Sequence, residues 1–297
     1  MSKYFDLGKK LNINLLDKIL FENQKLRLSK TVENKIHKSR SYLEKTISSS
    51  NEIIYGVNTG FGSLCDTKIN KKDINSLQEN LILSHACGVG DLVPKEIAKL
   101  MLLLKINSLC LGFSGVRVSL VKHLIKFYNK DLIPVIYEQG SLGASGDLAP
   151  LAHMSLPLLG KGSFYSKNGT NKSNIILKKE GLKCFKLSYK EGLALLNGTQ
   201  FMLSYSVWSL LKSIKLNKAS DLIAAISLEA FSCRVDSFSK LISSVRPHQG
   251  QLDTINNILN YLKGSKGFSE NSEYVQDPYS FRCIPQVHGA SKDVATY

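Results

Sequence analysis

Tryptophan occurs once in this 297-residue chain and proline seven times, and arginine supplies only six of its 39 cationic residues. Nowhere do 18 apolar residues run together, so no membrane-spanning helix is expected. The opening MSKYFDLGKK lacks the apolar stretch of a secretory leader. The cysteines (Cys65, Cys87, Cys110, Cys184, Cys233 and Cys283) stand far apart, with no C-x-x-C and no paired His/Cys spacing. No metal site or redox dithiol is therefore expected, and free thiols in a reducing, cytoplasmic setting are.

The scarcity of arginine bears on the charge. Thirty-nine Lys+Arg against 24 Asp+Glu leave a net +15. Recognition of phosphate or guanine favours the planar, bidentate fork of arginine. Here the lysines are scattered, with short pairs such as Lys9-Lys10, Lys71-Lys72 and Lys178-Lys179 and no aromatic interleaving. The reading is a solvated, Lys-rich surface with no nucleic-acid partner. With 43% hydrophobic and 21% charged residues the chain can bury a core, which excludes a wholly disordered protein.

Apolar periodicity is helical and β-type alternation is scarce, so the fold class is mainly α. The spacing predicts an amphipathic helix near 31–48. Pro94 opens another, with Ile97, Leu100, Met101 and Leu104 forming its buried stripe. A third runs from about Val116 to Tyr128, and Lys167 to Asn171 reads as an exposed loop or hairpin. Beyond Glu191 one helical run passes through Leu193 to Trp208, and a second is expected from Asp221, with Ser220 or Asp221 as its cap. These last helices are apolar around most of their circumference, which suggests a central bundle shielded partly by other subunits. His37 and His123 read as surface residues.

The densest turn-prone stretch is Gly140-Ser141-Leu142-Gly143-Ala144-Ser145-Gly146-Asp147-Leu148-Ala149-Pro150. No Gly-Lys-Ser/Thr or G-x-G-x-x-G accompanies it, so a phosphate cradle is a weak reading. The segment resembles the signature of the aromatic amino acid ammonia-lyases and aminomutases. Five further segments resemble that family in the same order: Tyr55-Gly56-Val57-Asn58-Thr59-Gly60-Phe61-Gly62, Leu77 to Ala86, Leu195-Leu196-Asn197-Gly198-Thr199, Arg246 to Gln251, and Val275 to Cys283. The resemblance spans roughly residues 50–297.

The resemblance implies that Ala144-Ser145-Gly146 cyclises into a 4-methylidene-imidazol-5-one. The Gly146 amide nitrogen attacks the Ala144 carbonyl carbon, a close approach that a residue without Cβ permits. Loss of the Ser145 hydroxyl as water then leaves the methylidene. Tyr55 is implied as general base, a role that a cationic pocket or the positive end of a helix would favour. Asn58 reads as a turn residue supporting it. Arg282 is implied as a bidentate clamp on the substrate carboxylate. Asn197 is implied as a substrate ligand, and Gln276 and Tyr279 as neighbours of the prosthetic group. The pair Ser84-His85 resembles the histidine enzymes of the family, where phenylalanine enzymes show Phe-Leu and tyrosine enzymes His-Leu. An imidazole at His85 can hydrogen-bond and orient a substrate imidazole.

The implied reaction is non-oxidative elimination of ammonia from L-histidine to trans-urocanate, a step of histidine degradation. A tyrosine or phenylalanine lyase, or an aminomutase, remains open within the family, as does a non-catalytic homologue. The family's members are longer homotetramers whose sites combine residues from several subunits. The chain thus reads as a mixed N-terminal region, 1–112, carrying the tyrosine loop and the Ser-His helix. A helical core, 113–297, follows, with the bundle truncated at its C-terminal end.

Overall fold

The structure, a computed structural model, describes residues 4–49, 53–62, 65–141, 146–268 and 275–297. It is mainly α-helical and divides into two compact units, Met1–Val207 and Trp208–Tyr297.

In the first unit β1 (Tyr4–Asp6) lies parallel to β2 (Lys25–Arg27), joined through α1 (Ile13–Phe21). Asn12 caps α1 by accepting from the Leu15 amide at 2.9 Å. Next come α2 (Lys30–Ser49), α3 (Ile74–His85) and the short β3 (Val89–Leu92). The centre of the unit is α4 (Lys95–Cys110), which starts behind Pro94 as its sequence predicts. It is buried on nearly every side: Leu100, Met101, Leu102, Leu103 and Ile106 have no exposed surface. Burying each such side chain contributes about 1.5–3 kcal/mol. Against α4 packs α5 (Val118–Asn129). Strand β4 (Tyr137–Gln139) pairs antiparallel with β3, ahead of α6 (Leu148–Ser155).

The stretch around Lys167–Asn171 forms a hairpin of β5 (Ser163–Ser166) and β6 (Gly169–Lys172), followed by α7 (Ser173–Lys179) and the six-residue α8 (Glu191–Leu196). Then α9 (Gln200–Ala230) carries the chain into the second unit. There it is followed by α10 (Lys240–Ser244), α11 (Gln249–Tyr261), α12 (Tyr279–Arg282) and α13 (Ile284–Thr296). The second core gathers Leu228, Cys233, Phe238, Ile255 and Ile258. Among the described residues no helix is long and apolar enough to cross a membrane.

Three expectations need correction. The run from Leu193 to Trp208 is not one helix, because Asn197 is extended and Gly198 has φ +146°, so α8 ends at Leu196 and α9 begins at Gln200. No helix begins at Ser220 or Asp221. With neither Gly nor Pro between Gln200 and Ala230, α9 is continuous, and Asp221 is a fully buried charge in its interior. Asp221 accepts from Asn257 Nδ2 at 2.7 Å, His288 Nδ1 at 2.9 Å and Lys292 Nζ at 2.7 and 2.8 Å, tying α9 to α11 and α13. His123 is half-buried, not superficial, its ring edge-on to Phe127 and Phe185, and burial lowers its pKa.

Candidate active site

Helix α8 is the junction of the first unit. Its N-terminus is fixed by Glu191, a fully buried carboxylate that accepts from the Arg117 backbone amide, Nε and Nη2 at 2.6–3.0 Å and from the Ser188 amide. Three elements meet its short length. Gly56, in the tyrosine loop, presses on Leu193, whose Cδ2 lies 2.1 Å from where a Cβ of Gly56 would be. Gln78 of α3, buried, accepts from the Gly192 amide through Oε1 at 2.8 Å. Helix α6 packs on the same short helix. At the C-terminal end of α8 stands Asn197, with its backbone extended and its side chain exposed.

The turn after α8 meets the glycine-rich segment. Gly146 has φ +105°, and a Cβ there would lie 2.8 Å from the Gly198 carbonyl oxygen and 3.1 Å from the Gly198 nitrogen. Only glycine satisfies both the backbone angle and the space. The Asp147 amide donates to the Gly198 carbonyl at 2.8 Å. Asp147, itself buried, accepts through Oδ2 from the Phe201 and Met202 amides at 2.9 and 3.0 Å, satisfying donors at the N-terminus of α9. From below, Lys105 of α4 donates from Nζ to the Asn197 carbonyl at 2.7 Å. Ala144 and Ser145 lie outside the described residues.

Tyr55 is 55% exposed, its ring edge-on to Phe61 with centroids 6.0 Å apart. Asn58 braces this turn by accepting from the Ile54 amide through Oδ1 at 2.7 Å. At the end of α3, His85 places Nδ1 2.8 Å from the Leu81 carbonyl. A carbonyl only accepts, so Nδ1 carries the hydrogen, and in the neutral ring Nε2 is left as an acceptor. The Ser84 hydroxyl donates to the same carbonyl at 3.1 Å. After α3, the Gly88 amide donates to His153 Nε2 of α6 at 2.9 Å, and burial lowers the pKa of His153, which favours the neutral ring this bond requires.

In the second unit Gln276, Tyr279 and Arg282 form a cluster of their own. The guanidinium carbon of Arg282 lies 4.2 Å from the centroid of the Tyr279 ring. With its amide oxygen toward Arg282, Gln276 accepts from Nη2, Nε and Nη1 at 2.8, 3.0 and 3.2 Å. Between them in sequence, Asp277 is buried and accepts from the Arg234 backbone amide at 2.7 Å. The fork of Arg282 is thus held by a neutral partner, and no carboxylate among the described residues pairs with it.

Tyr55, His85, Gly146 and Asn197 belong to one unit, where α8 connects the segments that carry them. Sequence reasoning missed Lys105, Gln78, Asp147 and His153. For Lys105 a signal existed: a single charge inside the apolar run Leu100 to Ile106, in a helix with no polar face. Gln78 carried none, because one glutamine in a helix reads as solvent-facing.

The chain belongs to the aromatic amino acid lyase family, whose sequence pattern matches residues 11–297. It is 40% identical to the histidine ammonia-lyase of Caldanaerobacter subterraneus subsp. tengcongensis, covering 100% of this chain and 58% of that protein. To the histidine ammonia-lyase of Streptococcus pyogenes serotype M6 it is 42% identical, covering 98% of this chain and 56% of the relative. Among solved structures it resembles histidine ammonia-lyase from Trypanosoma cruzi (TM-score 0.86, 33% identity, 98% of this chain and 55% of that one). It also resembles tyrosine aminomutase from Streptomyces globisporus (TM-score 0.89, 30% identity, 97% and 58%). The chain spans a little over half the length of these relatives.

Proposed function

We propose that the chain is the part of a histidine ammonia-lyase that carries the electrophile, the base and the carboxylate clamp, and that it acts in eliminating ammonia from L-histidine to give trans-urocanate. The observation that carries the reading is the Gly146–Gly198 crossing at the end of α8, a backbone site that admits only glycine where the chemistry needs one. Gly146 therefore fits a methylidene-imidazolone built from Ala144, Ser145 and Gly146. When formed, that group supplies the electrophile that makes an amino group able to leave.

The side chains have separable tasks in this reading. Arg282, pre-oriented by Gln276 and Tyr279, takes the substrate carboxylate through its two-pronged face. Asn197 offers an amide from the exposed end of α8. His85 presents Nε2 as an acceptor for the N–H of the substrate imidazole, a match that a phenylalanine side chain lacks. Tyr55, accessible on its loop, removes the β-proton. A cytoplasmic location and, for the full-length form, a homotetramer belong to the same reading. The first is supported by six unpaired cysteines, two of them exposed.

The likeness to tyrosine aminomutase keeps one alternative, return of the amine to the β-carbon of an aromatic amino acid. Product analysis with histidine, tyrosine and phenylalanine decides between them. Urocanate from histidine alone supports the lyase reading, and a β-amino acid or coumarate product overturns it.

A further inference from the structure

Lys105 is 2% exposed at the centre of α4, flanked by Leu104 and Ile106, and its described hydrogen bond runs from Nζ to the Asn197 backbone carbonyl at 2.7 Å. Burying an amine in an apolar helix core is costly and contributes little to stability unless the amine holds something in place. What it holds is the turn on which the site depends. Asn197 is the C-cap of α8, and Gly198, one residue on, receives the Asp147 amide and sets the space for Gly146.

We propose that Lys105 is a positioning residue, a buried strut from α4 that fixes the Asn197–Gly198 turn and through it both the Asn197 amide and the seat of Gly146. Its catalytic consequence rests on the lyase reading above, whereas its structural half stands on the hydrogen bond alone. Burial lowers its pKa to about 7, so at neutral pH a large share of the amine is uncharged. Ammonium and neutral amine both donate, so the strut persists in either form. No other side chain is described as bonding that carbonyl, so its loss removes the tie between the turn and α4 and leaves the bonds to Leu193 and Asp147.

The test compares the unsubstituted chain with Lys105→Met, which keeps length and removes every donor, and Lys105→Arg, which restores one. Amide hydrogen exchange of Asp147 reads the turn whether or not the prosthetic group forms. Exchange about tenfold or more faster in Lys105→Met, restored in Lys105→Arg, is expected. Thermal unfolding should come no earlier in Lys105→Met at pH 7, since a buried amine is removed. That outcome separates a strut from a residue that merely stabilises the core.

Where the unsubstituted chain shows the ultraviolet absorbance of the prosthetic group, Lys105→Met should lose most of it or turn over histidine about 10- to 100-fold more slowly, with KM changed within about threefold. Unchanged Asp147 exchange and unchanged absorbance in Lys105→Met overturn the proposal. If Lys105→Met does not fold, rapid Asp147 exchange in a folded Lys105→Arg overturns it equally. Absence of absorbance in the unsubstituted chain overturns the lyase reading instead, and exchange at Asp147 still decides the strut.

Discussion

Tyr55 and Lys105 have very different tasks in the proposed reaction. Tyr55 stands 55% exposed on a turn braced by Asn58, where a phenol can reach a substrate. Tyr55→Phe removes the proton acceptor and leaves the ring contact with Phe61, so turnover should fall about 10²- to 10⁴-fold with little change in melting temperature. A variant with undiminished turnover assigns the base elsewhere. Lys105 instead couples stability to pH. Its folded-state pKa, about 7, lies below that of the unfolded chain, so between pH 7 and about 10 the unfolded state binds the proton that the folded state releases. Stability from this group therefore rises with pH, by at most about 1.4 kcal/mol per unit. Burial pushes the Cys110 thiol up to about 12 and the Cys233 thiol up to about 11, which opposes the rise once unfolded thiols ionise near pH 9. Chemical denaturation from pH 7 to 9 should show the slope in the unsubstituted chain and lose it in Lys105→Met. Equal slopes would contradict the assignment.

At the scale of elements, α8 and α9 mark where sequence reasoning reached and where it stopped. Helices α4 and α5 were legible from apolar residues at helical spacing, and the turn residues of Lys167–Asn171 marked a loop or hairpin, of which the structure shows the hairpin. The segments carrying Tyr55, His85 and Asn197 were legible by resemblance. Their meeting on a six-residue helix was not, because it depends on buried carboxylate and amide contacts of Glu191 and Gln78 that are distant in sequence. In α9 the capping preference of Asp221 was misleading: the charge is satisfied by Asn257, His288 and Lys292 instead of by the start of a helix. Removing it leaves Lys292, 14% exposed, without its carboxylate. Asp221→Ala should cost about 3–5 kcal/mol in denaturant unfolding. A loss below about 1 kcal/mol would show that the cluster does not staple α9, α11 and α13.

For the whole molecule, apolar exposure is the more informative property. On α9, Leu216, Ile223 and Ile226 are 69%, 62% and 62% exposed, apolar surface that a partner would cover. With a homotetramer of the full-length form as part of the functional reading, light scattering of that form should give four times its own chain mass, and Ile223→Asp with Ile226→Asp should reduce it. A monodisperse monomer of the full-length form contradicts that assembly. The central claim is that Ala144-Ser145-Gly146 forms an electrophile on which histidine is deaminated, and one paired assay tests it most directly. Purified protein and its Ser145→Ala variant are each incubated with L-histidine while trans-urocanate is followed. The account predicts urocanate and the prosthetic group's absorbance in the first, and neither in the variant. Urocanate formed equally by both proteins, or by neither, contradicts it.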